Sequence, residues 1–337
     1  MKNIGFLLVF LLLTACGTTQ MVQSPETPPA GPDGLKANTN GIVEVSKEVN
    51  FTDANLVGGH MNYLASDKLK GRDTGSEGIE MAARYIENRF KDYGVKPYFK
   101  TYRDTLSNYK KPAYNIVGMV LGSDSSLKDE FILIGAHYDH IGVTRPQNGD
   151  YIANGANDNA SGTSTVLELA RYFGTKKVNK RSLIFALFSA EEKGLLGSEH
   201  LAKKLKKMDL NLYTMLNFEM TGVPLRGKDY ELFITGYDIS NLAKVSNKYA
   251  GEKLIGYSSI AEENDLFKRS DNYPFHKVFG VPSHTFCGFD FTNFPHYHRP
   301  SDENSEMDFD HMARVVNKMI PVVEGIANAP NQEIKKK

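Results

Sequence analysis

Five side chains of the types that bind zinc occur in separate short motifs along this chain. The motifs GAHYDH, NGANDNASG, SAEEKG, LNFEMTG and HYHRPSDE contain, in that order, His137, Asp158, Glu192, Glu219 and His298. Imidazole and carboxylate groups are ligands that suit zinc. Two histidines and three carboxylates are enough for two ions if one carboxylate bridges them, and Glu191 then remains free as a base. This set of residues predicts metal-assisted hydrolysis.

The first three motifs can also be interpreted without a metal. His137 could be a strand-end histidine beside a solvated acid, although a metal-bound imidazole usually donates its other N–H to a carboxylate, a role that suits Asp139. Asp158 could cap the helix that follows it. Glu191 and Glu192 could be an acidic helix start, which the helix dipole favours.

The last two motifs contain an acid and an imidazole in apolar or aromatic surroundings. Glu219 closes an apolar stretch, where an acid needs a partner, either a bound cation or a lysine. His298 follows Tyr297 in a proline-bounded loop, and Asp302 is close enough in sequence to orient the imidazole of His298. The alternative is a surface loop with aromatic packing. The joint occurrence of all five motifs is more specific than any one of them.

Apolar periodicity predicts strands that alternate with helices. We expect strands at 115–121, 131–136, 182–188, 213–218 and 230–234, and helices at 55–65, 78–93, 161–173, 195–207, 239–250, 274–279 and 307–327. Such alternation favours a largely parallel sheet covered by helices on both faces. In open sheets of this kind, ligands bind beyond the carboxyl ends of the strands. His137, Glu192 and Glu219 all follow predicted strands, so topology and chemistry place them at the same edge.

The N-terminal segment predicts export. Lys2 precedes an apolar run at 4–13 that is too short to span a membrane, and Leu-Thr-Ala-Cys follows it, ending at Cys16. This tetrapeptide resembles a bacterial lipobox, so residues 1–16 are predicted to be a lipoprotein signal peptide. Lipid on Cys16 would then attach the protein to a membrane of the bacterial cell envelope. The alternative is an ordinary signal peptide with a chance cysteine.

Composition predicts the remaining organisation. Residues 17–45 are rich in Thr, Pro, Gly, Asn and Ser and are predicted to be a flexible tether, followed by a single domain at 46–330 and a solvated basic tail at 331–337. The 40 basic and 40 acidic residues cancel, which argues against a nucleic-acid partner. Cys287 is the second of two cysteines and is predicted to be a small buried hydrophobic residue.

Taken together, these motifs resemble the co-catalytic zinc aminopeptidases, a family that also includes glutamate carboxypeptidase II and the glutaminyl cyclases. The resemblance runs from the segment LASDKLKGRDTGS, which begins at residue 64, to about residue 310. It implies a zinc-exopeptidase-like fold, a three-layer α/β/α domain with a mostly parallel, mixed central sheet. It also implies an enzyme that removes N-terminal residues from peptides with a free N-terminus.

The resemblance further implies two Zn²⁺ per chain and a role for each residue. By resemblance, the first ion binds His137, Asp158 and Glu219, and the second binds Asp158, Glu192 and His298. Glu191 would be the general base, Tyr297 would stabilise the oxyanion, and Asp139 would orient His137. A cis peptide bond is implied after Asp158.

The chain departs from the family pattern at two positions. Glu219 stands where the family usually has Asp, so its side chain is one methylene longer, and Asn272 stands where many members have His. A carboxypeptidase or a glutaminyl cyclase remains an alternative, since the same kind of centre serves both. A non-catalytic peptide-binding relative is the alternative outside enzymes, although all five ligand positions carry competent residues.

Overall fold

The computed structural model describes residues 49–337, and eight helices and eleven strands lie in this part of the chain. The helices are α1 (Ala54–Leu64), α2 (Glu77–Asp92), α3 (Gly162–Lys176), α4 (Leu196–Lys207), α5 (Leu242–Ala250), α6 (Ser259–Glu263), α7 (Asn272–Phe279) and α8 (Phe309–Asn328). The strands are β1 (Lys96–Pro97), β2 (Arg103–Thr105), β3 (Tyr114–Val120), β4 (Phe131–His137), β5 (Gly142–Gln147), β6 (Asp150–Ala153), β7 (Ser182–Phe188), β8 (Leu212–Glu219), β9 (Leu232–Ile234), β10 (Ile255–Gly256) and β11 (Ser283–Cys287). The predicted signal peptide, Cys16 and the tether lie outside the described residues.

A nine-stranded mixed sheet forms the centre of the molecule. Its main path is β1-β3-β7-β4-β8-β11-β9-β10, with β2 paired to β3. The four central strands β7, β4, β8 and β11 are parallel to one another, while β3 and β9 join them antiparallel on either side. The predicted mostly parallel, mixed sheet is confirmed. Because the central strands run the same way, their carboxyl ends meet at one edge.

Helices cover both faces of this sheet. The larger core packs α1, α2, α3, α5 and α8 against one face, and a second core packs α4 and α7 against the other. Strand β7 is buried along its whole length, as a parallel strand between two helical layers must be. The predicted three-layer α/β/α arrangement is therefore confirmed.

The strands that apolar periodicity did not predict are mostly short or lie at the edges of a sheet. The hairpin β5–β6 and the edge strands β1, β2 and β10 carry few apolar residues, so no periodic pattern marks them. Strand β11 is different because it is buried and pairs with β8. No strand was predicted there, but the prediction that Cys287 is buried is confirmed, since this residue is 5 % exposed.

The C-terminal segment packs against the domain rather than extending away from it. The side chains of Lys335, Lys336 and Lys337 are exposed, as expected of a basic tail. Their backbone is nevertheless bonded to the domain, since Lys335 N–H donates to Asn241 Oδ1 over 2.6 Å and Ile334 is buried. Within residues 49–337, no helix combines the length and the apolar composition needed to cross a bilayer.

Candidate active site and metal centre

The carboxyl edge of the parallel strands gathers the predicted metal ligands. His137 is the last residue of β4 and Glu219 is the last residue of β8. Glu192 follows β7, and His298 lies in the loop after β11. Asp158 precedes α3 in a turn whose peptide bond to Asn159 is cis, as the resemblance implied.

Asp158 lies between two groups of side chains. Its Oδ1 is 3.3 Å from Nε2 of His137, which is also 4.0 Å from Oε1 of Glu219. Its Oδ2 is 3.1 Å from Nε2 of His298, which is 3.3 Å from Oε2 of Glu192. The two carboxylate oxygens therefore face different ligand sets, which is the arrangement of a bridging carboxylate.

The polar residues around Asp158 have structural roles that explain their density in the sequence. The Asn157 side-chain oxygen accepts from the backbone N–H of Gly222, and that of Asn159 accepts from the N–H of Met220. The hydroxyl of Ser161 accepts from the N–H of Thr221. These three bonds tie the turn before α3 to the segment after β8. As a result, Asp158 and Glu219 are fixed relative to each other.

Asp139 supports both a metal ligand and the predicted base. Nδ1 of His137 is 3.1 Å from the backbone carbonyl of Asp139 and 3.8 Å from its carboxylate, so the carbonyl is the closer acceptor. The carboxylate accepts from the hydroxyl of Thr74 over 2.9 Å and from the N–H of Glu191 over 3.2 Å. Asp139 thus orients His137 mainly through its backbone and positions Glu191 through its side chain.

The structure places Asp302 differently from the sequence-based prediction. Asp302 was expected to orient His298, but its carboxylate accepts from the backbone N–H groups of Asn157 over 2.7 Å and Asp158 over 3.0 Å. The proximity of Asp302 and His298 in sequence suggested a contact, whereas the turn before α3 offers two free N–H donors that bind the carboxylate better. Asp302 therefore fixes the backbone of the candidate bridging residue.

Glu191 and Tyr297 line an open cleft of about 410 Å³ together with Asp158, Glu192, Glu219 and His298. The ring of Tyr297 stacks on that of His298, with centroids 3.9 Å apart. Burial and the neighbouring acids Glu219 and Asp271 raise the pKa of Glu191 well above its usual value. A carboxylate with a raised pKa is suited to accept and return a proton near neutral pH.

A small apolar pocket of about 40 Å³ adjoins this cleft. Its apolar lining includes Met220, Leu266, Phe289 and Phe291, and Tyr297 and Glu219 line both spaces. The pocket could accept an apolar side chain of a molecule bound in the cleft. Asn272, one of the two departures from the family pattern, is buried and bonds to Thr285 and Phe267 rather than lining either space.

Three residues of the centre were not predicted from the sequence. His140 is fully buried, with Nδ1 2.9 Å from Oε1 of Glu192. Ser270 donates its hydroxyl to Glu219, and in turn accepts from Asn217 over 2.8 Å. The fully buried Arg72 donates to backbone carbonyls of the surrounding loops, at Leu64, Tyr138, Asn154 and Gly155. The motif HYDH contained the signal for His140, whereas Ser270 and Arg72 act from segments distant in sequence.

Non-glycine residues with left-handed backbone cluster at this edge. Ala190 precedes Glu191 with φ 60°, Met220 follows Glu219 with φ 49°, and His298 itself has φ 57°. Such conformations are uncommon outside glycine and occur frequently at functional sites, where the surrounding structure enforces them.

The donor set fits divalent zinc. Within residues 49–337, buried ring nitrogens of His137 and His140 and Oε1 of Glu192 have no hydrogen-bond partner, although each lies near a carboxylate or imidazole. Burial and neighbouring charges raise the pKa of Glu219 to about 7. Unpaired buried acids and imidazoles are costly unless a cation binds between them. Two groups could each bind an ion, namely His137, Asp158 and Glu219, and His140, Asp158 and Glu192. The predicted ligand His298 lies 3.1 and 3.3 Å from the two carboxylates of the second group.

Comparison with known proteins finds aminopeptidases among the relatives of this chain. A probable leucine aminopeptidase of Arthroderma otae is 30 % identical over 267 residues, which are 77 % of this chain and 68 % of that protein. A further probable leucine aminopeptidase, from Trichophyton verrucosum, matches at 28 % identity over 65 % of this chain and 57 % of its own length.

Solved structures share the fold. The LapA aminopeptidase of Legionella pneumophila superposes with a TM-score of 0.65 at 22 % identity, covering 87 % of this chain and 79 % of that one. A glutaminyl cyclase of Porphyromonas gingivalis superposes with a TM-score of 0.64 at 16 % identity, covering 82 % of this chain and 98 % of that one. The family model described as Peptidase family M28 matches residues 115–323, which include all five predicted metal ligands and most of the domain. The chain therefore belongs to peptidase family M28.

Proposed function

We propose that this protein is a two-zinc aminopeptidase that removes N-terminal residues from peptides. The observation that carries this proposal is the position of Asp158, whose two oxygens face separate ligand sets 3.3 and 3.1 Å away. One ion would bind His137, Asp158 and Glu219, and the other Asp158, Glu192 and His298. The names of the similar proteins, leucine aminopeptidase and zinc metalloprotease, support the same chemistry.

The proposed roles of the protein side chains follow from their positions. Zinc bound at this centre would supply a Lewis acid that polarises the substrate carbonyl and lowers the pKa of water. Glu191 removes a proton from the attacking water and delivers it to the leaving amine. The hydroxyl of Tyr297 donates a hydrogen bond to the oxyanion as it forms. Asp139 fixes Glu191 through the bond to its backbone N–H.

The names of the similar proteins support removal of N-terminal rather than C-terminal residues. The charges of the cleft do not decide between the two, because Lys268 and Arg269 line it together with four carboxylates, three of which are proposed zinc ligands. The adjoining apolar pocket would then receive the side chain of the N-terminal residue, which predicts a preference for apolar residues.

A carboxypeptidase is the second candidate, and Arg269 is the observation that favours it. This exposed side chain lines both the cleft and the apolar pocket, where a guanidinium could bind the carboxylate of a C-terminal residue. A glutaminyl cyclase is the third, because such an enzyme shares the fold.

Mass spectrometry of a mixed peptide pool separates these functions. The chain lacking residues 1–16 is incubated with the pool, with and without a chelator. We expect chelator-sensitive loss of single N-terminal residues, while N-acetylated peptides stay intact. Loss of C-terminal residues would contradict the proposal and indicate a carboxypeptidase. Loss of ammonia from N-terminal Gln would indicate a cyclase, and an unchanged pool would indicate a binding protein.

We also propose export to the bacterial cell envelope and anchoring through lipid on Cys16. The apolar run at 4–13 and the Leu-Thr-Ala-Cys segment support this proposal. Mass spectrometry of the protein purified from membranes tests it. We expect an N-terminal diacylglyceryl cysteine at position 16 that is absent from Cys16→Ser, and an unmodified Cys16 in the native protein would contradict it.

A further inference from the structure

His140 is a buried histidine of the metal centre for which the proposed mechanism has no role. Its side chain is fully buried, three residues after His137. Nδ1 lies 2.9 Å from Oε1 of Glu192 and 3.8 Å from Oδ2 of Asp158. A buried imidazole normally donates or accepts hydrogen bonds through its ring nitrogens, so the partners of His140 need an explanation.

The contact between His140 and Glu192 does not have the geometry of a hydrogen bond. Despite the 2.9 Å separation, no aligned hydrogen bond to any group in residues 49–337 is made by Oε1 of Glu192 or by either ring nitrogen of His140. Nε2 of His137 also makes no aligned hydrogen bond within these residues, although it lies 3.3 Å from Oδ1 of Asp158. The two imidazoles therefore face the oxygens of the centre in the same way, and His137 is one of the proposed zinc ligands.

The ring of His140 is fixed by its surroundings. Gly155 has φ 57°, and a Cβ there would come within 2.5 Å of the ring, so backbone packs directly against this imidazole. On another side, the ring meets that of His298 edge to face, with centroids 5.6 Å apart. The orientation of Nδ1 toward Glu192 and Asp158 is therefore a property of the packed structure rather than one of several free rotamers.

We propose that Nδ1 of His140 is a fourth protein ligand of the second zinc ion, together with Asp158, Glu192 and His298. This inference rests on the proposed two-zinc centre. Ligands around one tetrahedral zinc lie about 3 to 4 Å apart. Nδ1 of His140 and Nε2 of His298 lie 3.8 and 3.1 Å from the same oxygen of Asp158, Oδ2. At Glu192 they face different oxygens, Oε1 at 2.9 Å and Oε2 at 3.3 Å, so these separations fit a shell to which Glu192 presents both oxygens.

The consequence is that the two ions are not equivalent. Four protein ligands close the shell of the second ion, which is typical of a structural zinc site, whereas three leave a position open at the first ion, as in catalytic sites. The first ion, between His137 and Glu219, would then be the one with room for substrate. Two imidazoles also make the second site the more selective for zinc over magnesium or calcium.

X-ray absorption at the zinc edge tests this inference without relying on activity. The zinc-loaded protein should show three imidazoles for two ions, and His140→Ala should show two. His284→Ala is the matched control, since it removes another buried imidazole, one that bonds to Ser240 and Thr235 away from the centre. In competition with a chelator, His140→Ala should release one ion more easily than wild type, by more than the roughly 10- to 100-fold that loss of a hydrogen-bonding neighbour costs.

The outcomes separate this inference from the proposed function. Two imidazoles for two ions in the wild-type protein would show that His140 only positions Glu192, which overturns the inference and leaves the two-zinc centre intact. Fewer than two bound ions after zinc loading would overturn both. If His140→Ala does not fold, the imidazole count of the wild-type protein still decides.

Discussion

Buried acids in two regions of this protein have different hydrogen-bonding partners. On α3, Glu168 is 1 % exposed and binds His60 over 3.1 Å and Arg171 over 2.6 Å. Burial acts to raise its pKa, but the hydrogen bonds from His60 and Arg171 lower it to about 2. The centre at the carboxyl edge of the sheet has several buried acids and no arginine or lysine side chain bonded to Asp158, Glu192 or Glu219 among residues 49–337.

The acids of the centre are not in direct contact with an arginine or lysine among residues 49–337, although the guanidinium of Arg72 is buried nearby. Burial acts to raise the pKa of Glu192, but His140 and His298 lower it. Burial raises the pKa of Asp139 and of Asp302 to about 6, and that of Glu219 to about 7. Glu168, which the proposed mechanism does not use, is paired with the guanidinium of Arg171. Buried acids without such a partner require protons, hydrogen bonds or a metal ion. The state of Glu219 therefore agrees with the proposed metal centre.

The largest effect is expected for Asp158→Ala, with Glu168→Gln as the matched variant. Asp158 is the only candidate ligand shared by both proposed ions, so its loss should release both and lower kcat/KM by more than the roughly 1,000-fold that one missing oxyanion donor costs. Glu168→Gln should keep two zinc ions and its activity. Zinc analysis and peptide assays on both variants check this, and zinc lost from Glu168→Gln would remove the distinction between the two regions.

Zinc removal should destabilise the protein, and the free energy of unfolding of the zinc-free protein should fall as the pH rises. Zinc at 1,000 times its dissociation constant stabilises the fold by about 4 kcal/mol. In the zinc-free protein, the folded pKa values of Asp139, Asp302 and Glu219 exceed the unfolded values near 4. The folded state then binds more protons, so stability from these groups falls as pH rises through about 6 to 7. Urea unfolding of chelated protein from pH 5 to 8 measures this; stability that rises over this range would contradict it.

Glu168→Gln should show the opposite pH dependence. Glu168 has a folded pKa below its unfolded value, so its contribution is present above about pH 4.5 and is lost as pH falls toward about 2. Breaking a buried ion pair costs about 3 kcal/mol at neutral pH. Urea unfolding of wild type and variant should therefore show a difference at pH 7 that narrows at pH 4. An unchanged difference would mean that the charge of Glu168 is not what stabilises α3.

A smaller effect is expected for Ser270→Ala. The Ser270 hydroxyl donates to Glu219 and favours its ionised form, so removing it should raise the pKa of Glu219 and let protons compete better with zinc. Loss of such a hydrogen-bonding neighbour typically weakens metal binding roughly 10- to 100-fold. Chelator competition at pH 6 and 8 measures it, with the larger loss expected at pH 6. Ser164→Ala, a buried serine on α3, serves as the control.

The sequence predicted the parallel core of the fold, and it predicted candidate ligands that the structure brings together at one edge, because both leave local patterns. Strand β7 was predicted to the residue, since a short unbroken run of aliphatic and aromatic residues is typical of a strand buried on both faces. The short β1 and β10 were missed, because edge pairing depends on the neighbouring strand and not on their own residues. The same applies to the contact that Asp302 makes with the turn at Asp158, and to the hydroxyl that Ser270 supplies to Glu219.

The most direct test of the two-zinc, Glu-assisted mechanism measures zinc content and turnover on the same sample of Glu191→Gln. Glu191 lines the cleft without being a proposed ligand, so the variant should retain two zinc ions. Removal of a general base lowers turnover by roughly 100- to 10,000-fold, and we expect kcat to fall within this range. Two zinc ions with kcat within tenfold of wild type would contradict the proposed role of Glu191.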